Sequence, residues 1–516
     1  MMVNGEEGLC GRTKPVTRAG RHNVSVGLTW GEGLPNLSIA LFREEGRPVR
    51  NLIVEGAASA LSQAFLPLLG GCESFAEFES RALELSRRTA AEAMSRALEA
   101  FDRELALSRP SGSTVHSRRA RTLATMTGDV RFERAVLLDA AGSTLYPLDE
   151  ALGLPMGDRV SPSMREFLVT CGADVPFGRT SRLAAMGGGS RVSATTVMRS
   201  LRRCGGAIAA SEREAARSLF SDGVAPEADT AAAHVLVEAD GTYVTMRGGG
   251  PKAEVKAMVA YAGKVGSEGG RVSRVDPVRL GCVGVAPGEF WREAVAQLGT
   301  RFDLARVERV SLGTDGEAQY VNGIGAMSFA PESDGHIDPF HVDRAVARCA
   351  PRGTRLGWAL LEVLEAGGPA ACAGVMGMLG AEGLLSEGWD GVAAYLRKHA
   401  AEIGGGPSMG TMEAEQQHMY KVRMASFPCA WSREGADAMA RIRSWIASGR
   451  DVPSRTREES LSPKRRRARG ARLAHVVDPT PPRRLESEGK GWEYPLTASV
   501  EGMRAGIRHE AALDLI

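Results

Sequence analysis

The sequence predicts a mixed α/β protein in which a sheet is interrupted by an all-helical insertion and preceded by helical and helix-turn-helix regions. Three observations carry this class. Residues 231–342 hold apolar and alternating runs of strand length set among helical patterns, which is how a mixed sheet covered by helices is written. Residues 343–403 keep a helical pattern with no strand signal. At 404 a glycine loop, GGGPSMG, leads into TMEAEQQHMYKVRMAS, a helix that returns to the sheet.

Taken in order, residues 1–50 form an irregular Gly- and Arg-rich segment with one short alternating run, VSVGLTW. Residues 51–110 read as an amphipathic helix or helix pair, because FAEFESRALELSRRTAAEAMSRALEAFDRELAL spaces its apolar residues by three and four among strong helix formers. A small β region follows at 111–158, where HSRRARTLATMTGDVRFER makes two strands about the turn Thr127-Gly128-Asp129. Residues 159–210 read as three short helices, the last capped by Ser193 and stopped by Gly205.

That last stretch has a one-sided charge. No acid lies between Val175 and Ala210, whereas Arg179, Arg182, Arg191, Arg199, Arg202 and Arg203 all do. Short helices, a glycine turn and purely basic charge suit a helix-turn-helix resting on a phosphate backbone, with Arg191, Arg199, Arg202 and Arg203 on or near its recognition helix. A solvated basic helix face has the same signature.

The predicted core is 231–342 together with 404–445. Its strands are AAHVLVEAD, TYVTM and EVKAMVAYAG, followed by the helix GEFWREAVAQLGTRFDL and the strand RVERVSLGTDG. HIDPFHVDRAVARCA closes the run as a short strand passing into a helix. Residues 446–516 are a basic, partly disordered tail, in which 464–472 has six basic residues out of nine and no acid. Lys464, Arg465, Arg466 and Arg467 head that run and predict non-specific electrostatic contact with DNA.

Two acids stand out in the core. Asp240 and Asp315 each end an apolar strand and each precede a glycine. Strand ends project into the crevice where α/β sheets place their chemistry, although Asp-Gly is also the commonest turn dipeptide. Glu413 lies in the first turn of the returning helix, where a carboxylate is favourable with the helix dipole in any case. Glu415, two residues on, faces away from it. Three carboxylates suit a hard divalent ion, and phosphodiester chemistry uses two such ions to clamp the attacking and leaving oxygens. Mg²⁺ or Mn²⁺, two ions, is therefore the expected cofactor. Arg423, later on the same helix, either contacts DNA phosphate or braces the core. GGGPK at 248–252 lacks the Gly-Lys-Ser/Thr ending of a phosphate loop and reads as a turn.

These residues sit in a recognisable text. GTMEAEQQHMYKVRMASFPCAWSREGADAM resembles a family pattern of Gly-x-Met-Glu, then Arg-Met, Trp-Ser and Gly-Ala. RTLATMTGDVRFER, LDEALGLP, the SATTV helix, EADG before Glu254 and Lys256, TDG and DPFH support it. Over about residues 60–450 the chain resembles the DDE transposases of bacterial insertion sequences, closest to the ISLre-type family related to the Mutator-like group. The resemblance implies an RNase H-like core with Asp240, Asp315 and Glu413 as catalytic, metal-holding triad, and 343–403 as its insertion. It also implies an Asp-x-x-His motif at Asp338 and His341, although a structural histidine bonded to Asp338 has the same spacing. One departure is GEAQYVNG after the second Asp-Gly, where Tyr320 stands in place of the family's usual Trp.

The function so implied is metal-dependent cleavage and strand transfer at element ends. Its partners are the terminal inverted repeats and target DNA, engaged by a homo-oligomer associated with the nucleoid in the cytoplasm. Its rivals are another RNase H-like nuclease and a decayed or domesticated transposase that only binds DNA. Composition excludes other classes. With 24% charged and 43% apolar residues the chain has material for real cores, and no uninterrupted apolar run approaches the roughly 20 residues of a membrane span. Eight cysteines, scattered singly, fit buried thiols in a reducing compartment and neither a zinc site nor a disulfide framework.

Overall fold

The computed structural model describes residues 25–31, 34–40, 48–109, 111–266, 272–350, 354–404, 407, 409, 412–426 and 429–454. The basic run 464–472, with Lys464, Arg465, Arg466 and Arg467, lies outside the described residues.

The chain divides into two units. The first holds the antiparallel hairpin β1 (Ser25–Gly31) and β2 (Leu34–Ala40), then helices α1 (Pro48–Gly70) and α2 (Phe75–Leu107). Ser74 caps α2 by accepting from the Glu77 N–H at 3.2 Å. The buried residue of α2 is an acid, Asp102, which accepts from the Ala135 N–H (2.9 Å) and from Arg118 (2.8 Å). Next in the chain come β3 (Thr114–Thr125), β4 (Gly128–Leu138) and β5 (Thr144–Leu145), in the sheet order β3-β4-β5 with β5 antiparallel to β4, and the short helix α3 (Pro147–Leu152). Of these, residues 119–133 belong to the second unit. The hairpin turn falls where the sequence places it, with Gly128 at φ +113°.

The second unit opens with α4 (Pro162–Asp174), α5 (Phe177–Met186) and α6 (Ala194–Ser221). Ser193 caps α6 as expected, but the helix does not stop at Gly205. It runs to Ser221, and Gly205 serves a crossing instead: a Cβ there would stand 2.5 Å from the Ala438 Cα. The glycine allows two helices to approach closely, a role that a sequence reading cannot separate from a stop.

The central sheet comprises β6 (His234–Val244), β7 (Ala253–Tyr261), β10 (Val278–Val283), β11 (Arg309–Thr314) and β12 (Glu332–Ile337), in the order β10-β7-β6-β11-β12. A separate hairpin, β8 (Gly263–Gly266) and β9 (Val272–Val275), lies between β7 and β10. β10, β7 and β6 pair antiparallel, whereas β11 runs parallel to β6 and β12 parallel to β11. The expected strands AAHVLVEAD and TYVTM are one strand, β6, and β10 goes unnoticed in the sequence.

α7 (Pro287–Gly299) connects β10 to β11, and the short α8 (Ala318–Val321) follows β11. One sheet face, with Leu236, Val244, Val255, Ala257, Val259 and Tyr261, packs on residues of α4–α6 and on Met412, Tyr420, Met424, Met439 and Ile442. The opposite face, with Val235, Val237, Ala239, Met258 and Leu280, packs on Phe290, Trp291, Leu298 and Tyr320. The helix-turn-helix region predicted as a domain at 159–210 therefore shares its core with the sheet.

Described residues of 343–403 are helical: α9 (Pro339–Arg348), α10 (Leu356–Ala381) and α11 (Trp389–Lys398) surround a small core of Val342, Val346, Leu360, Met376 and Leu396. α10 is long and apolar enough to cross a membrane by length and composition. It is two helices joined at Gly368 (φ 76°, ψ 178°) and Pro369, and Glu362 and Glu365 interrupt its apolar run. The chain re-enters at α12 (Met412–Gln416), passes a π turn at Gln417–Lys421 into α13 (Val422–Met424), and closes with α14 (Arg433–Ala447).

Candidate active site: an acid cluster at the sheet

Asp240 is a strand-interior residue. β6 continues through Gly241 to Val244, so the Asp-Gly pair is not a turn. The glycine is needed for another reason: a Cβ at 241 would meet Glu254 Oε1 at 2.2 Å and the Tyr320 hydroxyl at 2.7 Å. Tyr320 donates to Glu254 Oε1 at 2.5 Å, and Lys256 bonds Glu254 Oε2 at 2.7 Å, bracing that face. Asp240 points to the other face, alongside Ala257 of β7.

Asp315 follows directly on β11. Its Oδ1 accepts from the Glu317 N–H at 2.8 Å, and its carbonyl accepts from the Tyr395 hydroxyl of α11 at 3.1 Å. Gly316 has φ +90°, and a Cβ there would run into the Tyr395 ring at 2.8 Å. Because β6 and β11 are neighbouring parallel strands, the two aspartates come to the same end of the sheet.

Glu413 is brought in by a buried acid that the sequence reading passed over. Glu238, two residues before Asp240 on the same strand face, accepts from the Met412 N–H at 3.2 Å and from the Tyr261 hydroxyl at 2.6 Å. It thereby fixes the start of α12 against β6. Glu413 itself is 41% exposed and ion-paired with Lys421 at 3.2 Å. The π turn between them widens the helix locally, a distortion frequent at functional sites.

The three acids share one electrostatic neighbourhood. Burial pushes the Asp240 carboxyl up to about 7, and the charges of Asp315 and, less, Glu413 add to it. The Gly241 N–H, 2.6 Å from Asp240 Oδ1, and the Lys421 ammonium act the other way. Burial also raises Asp315, opposed by its bond from the Glu317 N–H and by His341. His341 Nε2 stands 4.0 Å from Asp240 Oδ2, so the imidazole faces the aspartates, while its backbone N–H donates to the Asp338 carbonyl at 3.0 Å. The buried Asp338 carboxylate lies within electrostatic reach of the Lys264 ammonium.

The donor set suits a hard divalent ion: oxygen ligands, accumulated negative charge, and a carboxyl whose raised pKa a cation would reverse. As placed, though, no three His, Cys, Asp or Glu side chains among the described residues stand close enough together to hold a metal ion. Glu413 would have to exchange Lys421 for the ion.

Other sequence candidates fall elsewhere. Arg423 is buried, donates to the Gly172 carbonyl at 3.2 Å and lies over the Phe177 and Trp431 rings at 5.2 and 5.3 Å. Its guanidinium is taken up by that carbonyl and those rings, so it braces the core, which corrects its place among the DNA-contacting residues. Arg203 pairs with Asp158 at 2.7 Å, and Arg202 donates to the Ser432 hydroxyl at 2.6 Å. Arg191 and Arg199 are exposed. Glu415 is buried between Arg274 (2.6 Å) and Arg279, a structural clamp rather than a second candidate.

Fold and site together define a mixed α/β protein with an acid cluster where two neighbouring strands meet a returning helix. Residues 70–368 match the model of the uncharacterised protein family UPF0236, so the chain belongs to that family. The match takes in Asp240, Asp315, Asp338 and His341 and ends before Glu413. A UPF0236 protein in the vanSb 3′ region of Streptococcus gallolyticus is 26% identical over 49% of this chain and 54% of its own length. UPF0236 protein TTE2489 of Caldanaerobacter subterraneus subsp. tengcongensis is 20% identical over 76% of this chain and 82% of its own. A third relative, of the same organism, is also 20% identical over the same shares and carries eleven locus designations in its name.

Proposed function

We propose that the chain is the transposase of a bacterial insertion sequence, which cleaves DNA at the element's ends and joins those ends to target DNA. What supports this reading is that Asp240, Asp315 and Glu413, distant in sequence, lie within electrostatic reach, the charges of Asp315 and Glu413 both acting on Asp240. The strand order supports an RNase H-like core. In order of appearance the strands run 3-2-1-4-5, with the first three antiparallel and the last two parallel to the first. The relative with eleven locus designations in one organism supports it too, since repeated insertion multiplies a gene within a genome.

In this reading Asp240, Asp315 and Glu413 would hold Mg²⁺ or Mn²⁺, which would supply activation of the attacking oxygen and stabilisation of the leaving one. The chain's own residues do the rest. The strands fix the two aspartates, and Tyr395 holds the backbone of Asp315. Lys421 keeps Glu413 neutralised until substrate and cation arrive. Arg191 and Arg199, exposed on and before α6, contact backbone phosphates of the element's terminal repeats, and the protein works on DNA as a homo-oligomer. The Glu413–Lys421 ion pair also favours a second reading, a DNA-binding protein without cleavage.

A plasmid carrying the DNA that flanks this gene separates the two. With Mg²⁺ the wild-type chain nicks it at the element ends and Asp315→Ala does not. Specific binding without any nicking overturns the transposase reading in favour of the second.

A further inference from the structure

Away from the acids, a cavity of about 330 Å³ opens between the first turn of α5, the first half of α6 and the segment entering α14. Phe177, Met198, Leu201 and Trp431 give it apolar and aromatic walls, and Arg202, Arg247 and Arg423 give it positive charge. Phe177 and Trp431 meet edge to face, 6.3 Å between centroids, and Arg423 stacks behind both rings, which keeps the aromatic wall rigid. None of its described lining residues is acidic. Glu434, 3.8 Å from Arg202 Nη1, is 83% exposed and stands outside the lining.

Arg202 is the informative side chain. Its Nη2 donates to the Ser432 hydroxyl, but its Nε is buried without a hydrogen-bond partner. A buried guanidinium N–H left unmet is costly, so the native state is expected to satisfy it with a ligand acceptor. Gly435 leaves room for its partner, since a Cβ at 435 would press on the Ser432 hydroxyl at 3.0 Å.

A volume near the lower end for small-ligand sites admits one nucleotide and not a duplex. Planar aromatic and thioether walls suit an unstacked base, and arginine donors at the edge suit its phosphate. We propose that this cavity receives a single nucleotide, its base against the Phe177–Trp431 wall and its phosphate on Arg202 and Arg247. The inference rests on the DNA reading for its ligand class but concerns a site separate from the acids. Two sources share this chemistry: a base turned out of a bound strand, and a free mononucleotide.

The test uses the full chain and a fluorescein-labelled single-stranded 20-mer, compared by anisotropy with the same strand made abasic, and dAMP by calorimetry. The wild type should prefer the base-bearing strand by about tenfold, the scale of one base stacked on an aromatic wall. The cavity-filling Met198→Trp should remove that preference and leave abasic binding unchanged, whereas Arg202→Met should remove the preference and weaken abasic binding only by its one phosphate contact. Arg202→Lys, which keeps the charge and loses the Nε donor, should remove most of it. Unaltered circular dichroism and melting of the variants guard against misfolding. If dAMP alone binds and the variants abolish it, the source is a free nucleotide. Equal binding of both strands by the wild type, or variants that weaken both strands alike, overturns the proposal. So does a protein that binds neither strand nor dAMP. Nicking of the flanking-DNA plasmid is scored separately, so the transposase reading stands or falls independently of the cavity.

Discussion

The two halves of the acid cluster are built differently. On the sheet side, Asp240 and Asp315 are set by strand pairing and by backbone N–H bonds of 2.6 and 2.8 Å, with Tyr395 gripping the chain beside Asp315. On the helix side, Glu413 sits on a single turn before a π distortion, is 41% exposed, and leans on Lys421. Two residues further on, Glu415 is 7% exposed and clamped by two arginines. The same helix thus carries one acid for anchorage and one held loosely. The contrast teaches that rigidity at this site comes from the sheet, and that adjustment, if the third acid is to meet a cation, comes from the helix.

The largest expected effect is on the sheet side. Asp315→Ala or Asp240→Ala should lower DNA nicking beyond the ~10²–10³-fold that loss of one preorganised electrostatic group costs, with DNA affinity unchanged. A variant that still nicks at a tenth of the wild-type rate breaks the comparison. Next comes anchorage. Glu415→Ala leaves Arg274 and Arg279 buried without their carboxylate and should cost about 3–5 kcal/mol in chemical denaturation, while nicking per folded molecule persists. A stability change under 1 kcal/mol would mean the helix is not held there.

The pH response is smaller and has a definite sign. A carboxyl held up to about 7 in the folded state binds its proton more tightly there than when unfolded, where its pKa lies near 3.8. Its contribution to stability is present below the unfolded value and is lost as pH rises through about 7. Mg²⁺ binds the deprotonated form, so the rise in Tm on adding Mg²⁺ should be slight at pH 5.5 and clear at pH 8, and Asp240→Asn should flatten it. A shift independent of pH would place the ion elsewhere. The smallest effect on stability is expected at Glu413→Ala, which should change it by no more than ~1 kcal/mol, as an exposed pair does, although nicking is abolished.

The candidate acids are legible in the sequence where a local pattern marks them, and the gaps have physical causes. Asp240 and Asp315 are marked because each ends an apolar run, and Glu413 because a glycine loop leads into its helix. The Asp240 environment misleads, since Gly241 looks like a turn residue and is instead an extended one, chosen for the approach of Tyr320 and Glu254. Glu238 is hidden because an acid inside an apolar strand gives no sign that it will receive the N–H of a helix start far along the chain. Arg423 and Arg202 look alike on paper. Both border the same cavity, and only packing shows that one guanidinium lies over the Phe177 and Trp431 rings while the other leaves its Nε without a partner. Gly205 is the same kind of case, where a close helix crossing and a helix stop ask for the same residue.

The core on the Asp240 face of the sheet also sets an order of events during synthesis. It joins Met164, Leu168 and Leu201, made before the sheet, to Met412, Tyr420 and Ile442, made after it. A ribosome therefore delivers all five strands while that face still lacks part of its cover. The apolar surface is closed only when α14 emerges. A nascent chain stopped anywhere short of α14 would expose that surface to chaperones and proteases, so truncated copies of this gene should be cleared rather than persist as partial proteins.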